Sequence, residues 1–179
     1  FTKTAALLGL ILIGFILGKN AEAVAANFSN FWNATFTQIE NGQLNVRPLM
    51  NMALYSTLGA AMVGSLFSAD AWNNITFTAG EVINPKRNIP LSLALGTGIV
   101  SVLYILANIV YLNVLPLHGS PAGATVAERG IQFASSDRVG TAAAQAIFGD
   151  GAAFVMAGLI MVSTFGCNNG LILAGARVY

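Results

Sequence analysis

The chain has 179 residues, 55% of them hydrophobic and 8% charged, at a mean hydropathy of +0.69, whereas a soluble domain carries about a quarter charged residues. This is the composition of a membrane protein. Eight Lys and Arg against seven Asp and Glu leave a formal charge of +1, which excludes a basic surface for nucleic acid. One cysteine, Cys167, and one histidine, His118, exclude an intrachain disulfide and a zinc cluster.

A helix needs about 20 mostly apolar residues to cross a hydrocarbon core about 30 Å thick, and four runs approach or meet that length. The first covers residues 1–18. It has no initiator methionine, basic n-region or small-residue cleavage site, so it reads as a helix entered part-way and the chain as a piece of a larger protein, not as a signal peptide. A polar connection, residues 19–47, follows, with Phe28, Phe31, Trp32 and Phe36 suited to a membrane-interface belt. The second run, residues 48–82, is too long for one straight span and is interrupted by Asp70. The third, residues 90–116, is opened by Pro90 in its first turn and stopped by Pro116. After a second polar connection, residues 117–150, the fourth run covers 151–176 and is closed by Arg177. Many of the 19 glycines fall inside the runs, where small residues let helix backbones approach closely. The pattern predicts one all-α membrane domain over residues 1–179. Lys86 and Arg87 assign their loop to the cytoplasm, so the first and third runs lead outward and the second and fourth inward.

Asp70 is the informative residue. A carboxylate at mid-membrane costs at least about 2.5–3.5 kcal/mol and must face protein or water. Irregular backbone at that depth is tolerated where it lines a cavity, and transporters use broken helices there to present free carbonyls. The alternative ends the span near Ala69 and makes Asp70 to Glu81 an interfacial turn, with Trp72 in the aromatic belt. The fourth run places Ser163, Thr164, Cys167, Asn168 and Asn169 together at its centre. These polar groups suit a binding site and interhelical hydrogen bonding equally. Lys3 is either buried in the first helix or snorkels from its end. His118 lies in a loop with no partner acid, nucleophile or metal set, so no enzyme is read from it.

At these residues a family resemblance becomes specific. Leu66-Phe67-Ser68-Ala69-Asp70-Ala71-Trp72-Asn73, followed by Gly80-Glu81-Val82-Ile83-Asn84-Pro85-Lys86-Arg87-Asn88-Ile89-Pro90, resembles the sixth helix and following loop of L-type amino acid transporters, in the amino acid-polyamine-organocation superfamily. Ser163 to Gly170 is similar to that family's eighth helix, and Phe1-Thr2-Lys3 with Leu7-Leu8-Gly9 to its fifth. The resemblance implies helices five to eight of a leucine-transporter-type inverted-repeat bundle, with a discontinuous second helix broken near residues 67–71.

It further implies substrate contacts from Phe67, Ser68, Ala69, Asp70, Asn73 and Cys167, with Phe67 and Trp72 as gate. Lys3, beside Ser163, is implied as a coupling or structural charge in the place a sodium ion takes in sodium-coupled relatives; a fixed ammonium supplies the same +1. Asp70 either reads the substrate amino group or caps the second half-helix. Ala71 stands where glycine is common, and Gly80-Glu81 keeps only one of a frequent glutamate pair.

The implied protein is a multi-pass plasma (inner) membrane transporter, either an exchanger or proton-coupled and independent of sodium, without metal or cofactor. It would work by alternating access with the remaining helices of the full-length protein, and no accessory subunit is specified. A neutral amino acid is the expected substrate, since a second positive charge would want a second carboxylate. The competing reading is a non-transporting membrane scaffold or channel subunit, with the polar residues as packing glue and Asp70 in a pore ring.

Overall fold

A computed structural model describes residues 2–29, 31–40, 43–68 and 70–176, the side chains of residues 2, 3, 43, 67, 68, 70–73 and 78 excepted. The chain is mostly helical. In order it forms α1 (Thr2–Leu17), α2 (Ala21–Ser29), β1 (Thr35–Glu40), β2 (Gln43–Pro48) and α3 (Asn51–Ser68). A 3-10 helix (Asp70–Glu81), α4 (Pro85–Val114), α5 (Val126–Arg129), a short 3-10 turn (Ser135–Asp137), α6 (Val139–Phe148) and α7 (Ala152–Gly175) complete it. Two compact units divide these elements, one of residues 1–28 with 74–179 and one of residues 29–73.

In the larger unit α1, α4, α6 and the start of α7 share a core. Lipid is as apolar as leucine, so close van der Waals packing and not burial from water must hold such helices together. The sequence provides for it. Along α4 the buried residues are Leu103, Ala107, Val110 and Val114, a stripe at helical spacing. Against them stand Ile11 and Gly14 of α1 and Gly18 just after its end. A Cβ on Gly14 would collide with the Val110 side chain, and one on Gly18 would stand 2.7 Å from Cγ2 of Val114. These paired approaches set α1 and α4 running in the same direction. Ile147 of α6 reaches the same two glycines, and Leu10 shares a cluster with Ala144 and Ala152. α6 therefore parallels α1. After Gly151 the chain reverses, and Met156 comes beside Gly140 at the start of α6, so α7 runs antiparallel to both.

The end of α4 shows how a helix terminus is satisfied. Pro116 has no N–H, so the carbonyl of Leu112 loses its partner one turn on. α2, bent by 99° from α1, supplies the replacement. The Nδ2 of Asn27, a buried residue, donates to the Leu112 oxygen at 2.7 Å and the Leu115 oxygen at 2.9 Å, while its Oδ1 accepts from the Leu117 N–H at 2.6 Å. Asn20 N–H donates to the Asn113 oxygen at 3.0 Å, and the Asn20 side chain caps α2 through the N–H groups of Glu22 and Ala23.

α5 is a single turn closed by a capping box. Thr125 Oγ1 accepts from Glu128 N–H at 3.2 Å, and Glu128 Oε2 accepts from Ala124 N–H at 2.8 Å and Thr125 N–H at 3.3 Å. Those backbone donors, Ala124 first, hold the Glu128 carboxyl below the usual glutamate range. As pH falls, the unfolded chain takes up this proton first. The cap is thus fully effective above the ordinary glutamate value and fades as pH drops through the lowered folded value. An NMR titration should give Glu128 an apparent pKa below that of glutamate in an unstructured peptide, and Glu128→Gln should abolish the accompanying amide shifts of Ala124 and Thr125; a peptide-like pKa would contradict the cap.

The smaller unit departs from the all-α expectation. Its polar stretch contains an antiparallel hairpin, β1 against β2, in register from Thr35 opposite Pro48 to Glu40 opposite Gln43. One face pairs Thr37 with Val46 and Ile39 with Leu44; the other pairs Phe36 with Arg47 and Gln38 with Asn45. Glu40 Oε2 accepts from Asn45 Nδ2 at 3.2 Å and lies 3.8 Å from Arg47 Nη2. Such an exposed ion pair contributes no more than about 1 kcal/mol. Beside the hairpin, the rings of Phe31 and Trp32 meet edge to face at 5.3 Å.

Among the described residues two helices are long and apolar enough to cross a membrane, α4 and α7, or three if the bent α1–α2 pair is one span. α3 does not pass, because Asn51, Tyr55, Ser56, Thr57, Ser65 and Ser68 dilute its 18 residues. α4 starts five residues before the expected boundary: Pro85 occupies its first turn after Asn84 at a φ of 53°, and Pro90 lies inside the helix. Proline is tolerated there near the helix start, where only one intrahelical bond is forfeited.

Candidate functional site

The residues singled out by sequence divide between the two units. Phe67 and Ser68 are the last two residues of α3, and Asp70, Trp72 and Asn73 lie in the 3-10 helix that follows. Their side chains, and Ala69 altogether, lie outside the described residues. Lys3 stands in the first turn of α1, its side chain likewise outside the description. Ser163 and Cys167 are one turn apart on α7 and therefore share a face; Ser163 is half-buried and Cys167 exposed. Between them Thr164 satisfies its hydroxyl locally, donating to the Ile160 oxygen at 2.9 Å. His118 sits in the exposed loop after α4 with its Nδ1 3.4 Å from Gln132 Oε1.

The backbone around Asp70 is unusual. α3 ends at Ser68 and a 12-residue 3-10 helix begins at Asp70. Runs of that type beyond three or four residues are uncommon, and within a helical stretch they mark a hinge or a sequence under strain.

A second polar region was not visible in the sequence. A cavity of about 790 Å³ opens in the larger unit at the end where α1 and α4 finish. Lys19, Arg129 and Arg138 reach its wall from the segment after α1, from α5 and from the start of α6. They are brought together because the chain from Leu115 to Ala134 doubles back, with Ile131 N–H donating to the Pro116 oxygen and Gln132 N–H to the Leu117 oxygen. Gly130, at a φ of 64°, makes the return possible: a Cβ there would lie 2.7 Å from the Pro116 oxygen.

Long apolar helices packed through glycine and alanine, with polar groups gathered on few turns, define an α-helical membrane protein. The chain matches the amino acid permease family over residues 1–179 and belongs to that family, within the superfamily that its motifs resemble. Among curated proteins it is similar to b(0,+)-type amino acid transporter 1 of Rattus norvegicus, 29% identical over 107 residues, which are 59% of this chain and 19% of that protein. It is also similar to the serine/threonine exchanger SteT of Bacillus subtilis (strain 168), 31% identical over 120 residues, 67% of this chain and 25% of that protein. Amino acid transporter protein 6 of Caenorhabditis elegans is 42% identical over 55 residues, 31% of this chain and 10% of that protein. The chain thus matches between a tenth and a quarter of the length of these relatives. No solved structure matches it.

Proposed function

We propose that this chain is part of a sodium-independent secondary transporter that moves neutral amino acids across the plasma membrane by alternating access, as an exchanger or with protons. The observation that carries this reading is the change of helical bonding between Ser68 and Asp70, inside the Leu66 to Asn73 motif, in a chain that belongs to the amino acid permease family. In this reading the span is discontinuous there, its freed carbonyls at Phe67, Ser68 and Asp70 receive the substrate ammonium, and Ala69, Asn73 and Cys167 complete the pocket. Phe67 and Trp72 gate it. The directions of the helices support the placement of Lys3 near Ser163. Leu10 and Ala152 share a cluster, and α7 runs antiparallel to α1, so the Lys3 end of α1 and the middle of α7 lie toward the same end of their unit. The fixed ammonium then stands where a coupling cation would otherwise be needed. A relative named for serine and threonine exchange agrees with a neutral substrate.

The test is exchange by the full-length protein in proteoliposomes loaded with serine. Labelled serine, threonine or leucine should enter equally well in sodium and in choline buffer. Lys3→Ala should slow exchange at least about tenfold, equivalent to about 1.4 kcal/mol of barrier, and Asp70→Gly less than about threefold, as a capping role implies. A sodium requirement, or equal and negligible effects of the two substitutions, would overturn the reading.

A further inference from the structure

The cavity at the end of α1 and α4 is not used by the transport reading. Its described wall carries three cationic side chains, Lys19, Arg129 and Arg138, against the single carboxylate of Asp150. None of the four makes an ion pair among the described residues. Arg129 spends Nη1 on Ser135 Oγ at 2.6 Å, while its buried Nε has no acceptor among the described residues. A buried charged donor without a partner is unfavourable and calls for an oxygen from elsewhere. Arg129, Ser135, Arg138, Thr141 and Gln145 also line an adjoining cavity of about 30 Å³, room for about one water molecule. The two spaces therefore share one polar wall. α6 begins in that wall with Arg138 at its N-cap position and no side-chain cap, so the free N–H groups and positive dipole end of a ten-residue helix lie there too.

We infer that this wall is a binding site for a small oxyanion, a carboxylate or a phosphate group. The guanidinium groups of Arg129 and Arg138 would each offer paired N–H donors, the arrangement that suits the two oxygens of such a group. Ser135, Thr141 and Gln145 add neutral donors, and Lys19 raises the local concentration of anions. Two sources present the same chemistry: a free solute and the headgroup of an anionic lipid.

The experiment measures thermal unfolding of the purified full-length protein at constant ionic strength. In detergent, sodium acetate and sodium phosphate are titrated against sodium chloride; in nanodiscs, phosphatidylglycerol is compared with phosphatidylcholine. A ligand that binds only the folded form raises the melting temperature. Acetate or phosphate should do so in detergent if a solute fills the site, and phosphatidylglycerol alone should do so if a lipid does. In either case Arg138→Gln should weaken the response at least about tenfold in apparent affinity, about 1.4 kcal/mol. Arg138→Lys should weaken it less, and Arg47→Gln, in the hairpin, not at all. Arg129→Gln is a further variant; should it fail to fold, Arg138→Gln still decides, since the Arg138 side chain has no hydrogen bond to lose among the described residues. No response to any of the three probes, or an undiminished one in Arg138→Gln, overturns the inference.

Discussion

Gly14→Leu should cost about 3 kcal/mol of stability, the upper part of the range for an overpacked site, and should separate α1 from α4. Gly14 is buried, and the space a side chain would need is occupied by Val110, itself fully buried, with Cδ1 of Ile147 at 3.6 Å on the other side. Val110 has no room to turn away, because it is hemmed in by the cluster around Ala107, Val114 and Ala143. Gly18→Val should act in the same direction, since its Cβ meets Val114 at 2.7 Å and the Gly14 carbonyl oxygen at 2.8 Å. Gly9 is the internal control. No described residue lies within 4 Å of a Cβ at that position, so Gly9→Ala should stay within about 1 kcal/mol of the parent, on the stabilising side, as helix propensity requires. Thermal unfolding of the three variants in one detergent separates the cases. If Gly9→Ala and Gly14→Leu unfold together, the glycines of α1 are not packing residues.

The apolar helices were legible because composition alone decides them. α4 and α7 occupy the third and fourth runs, and α1 the first, since a stretch such as Ala5 to Gly18 satisfies its backbone only within a helix. The connections were not legible. Gln38, Asn45 and Arg47 are as polar as any loop, and both faces of the hairpin are largely exposed, so no strong alternation marks the strands. The signal that was available is Asn41-Gly42 between two runs of β-formers, the dipeptide most typical of a tight hairpin. α6 is apolar but has only ten residues, about half of what a span needs, so a search for spans passes over it, although the small size of Ala142, Ala143 and Ala144 is what lets it pack against α1 and α4. Hydropathy starts α4 late, at Pro90 instead of Pro85, because Lys86 and Arg87 interrupt the apolar run. A helix does not stop at the membrane boundary. Around Asp70 the family resemblance implies a discontinuity near residues 67–71; the structure ends α3 at Ser68 and begins a 3-10 helix at Asp70, and the break itself stays part of the proposal. The cationic cavity had no sequence signature, for Lys19 and Arg129 are brought to one wall only by the return of the loop after Pro116.

That return also makes Asn27 the residue whose loss should be felt furthest from its own helix. Asn27→Leu keeps the side-chain volume and removes three hydrogen bonds at once, those to the oxygens of Leu112 and Leu115 and from the N–H of Leu117. The Leu112 carbonyl has no substitute, because the residue one turn on is Pro116. With each net bond near 1 kcal/mol and buried partners left unsatisfied, the expected loss is about 3 kcal/mol. Packing and hydrogen bonding can be told apart with Asn27→Asp. At neutral pH a carboxylate would set a negative oxygen against the two carbonyls that Nδ2 now serves. Repulsion and burial raise the folded pKa of such a group, so the variant should regain stability as pH falls through that raised value and the protonated acid becomes a donor again. Asn27→Leu should show no such recovery. Unfolding measured across that range therefore distinguishes a clamp made of hydrogen bonds from a filled space, and parallel pH profiles for the two variants would mean that α2 is held to the end of α4 by shape alone.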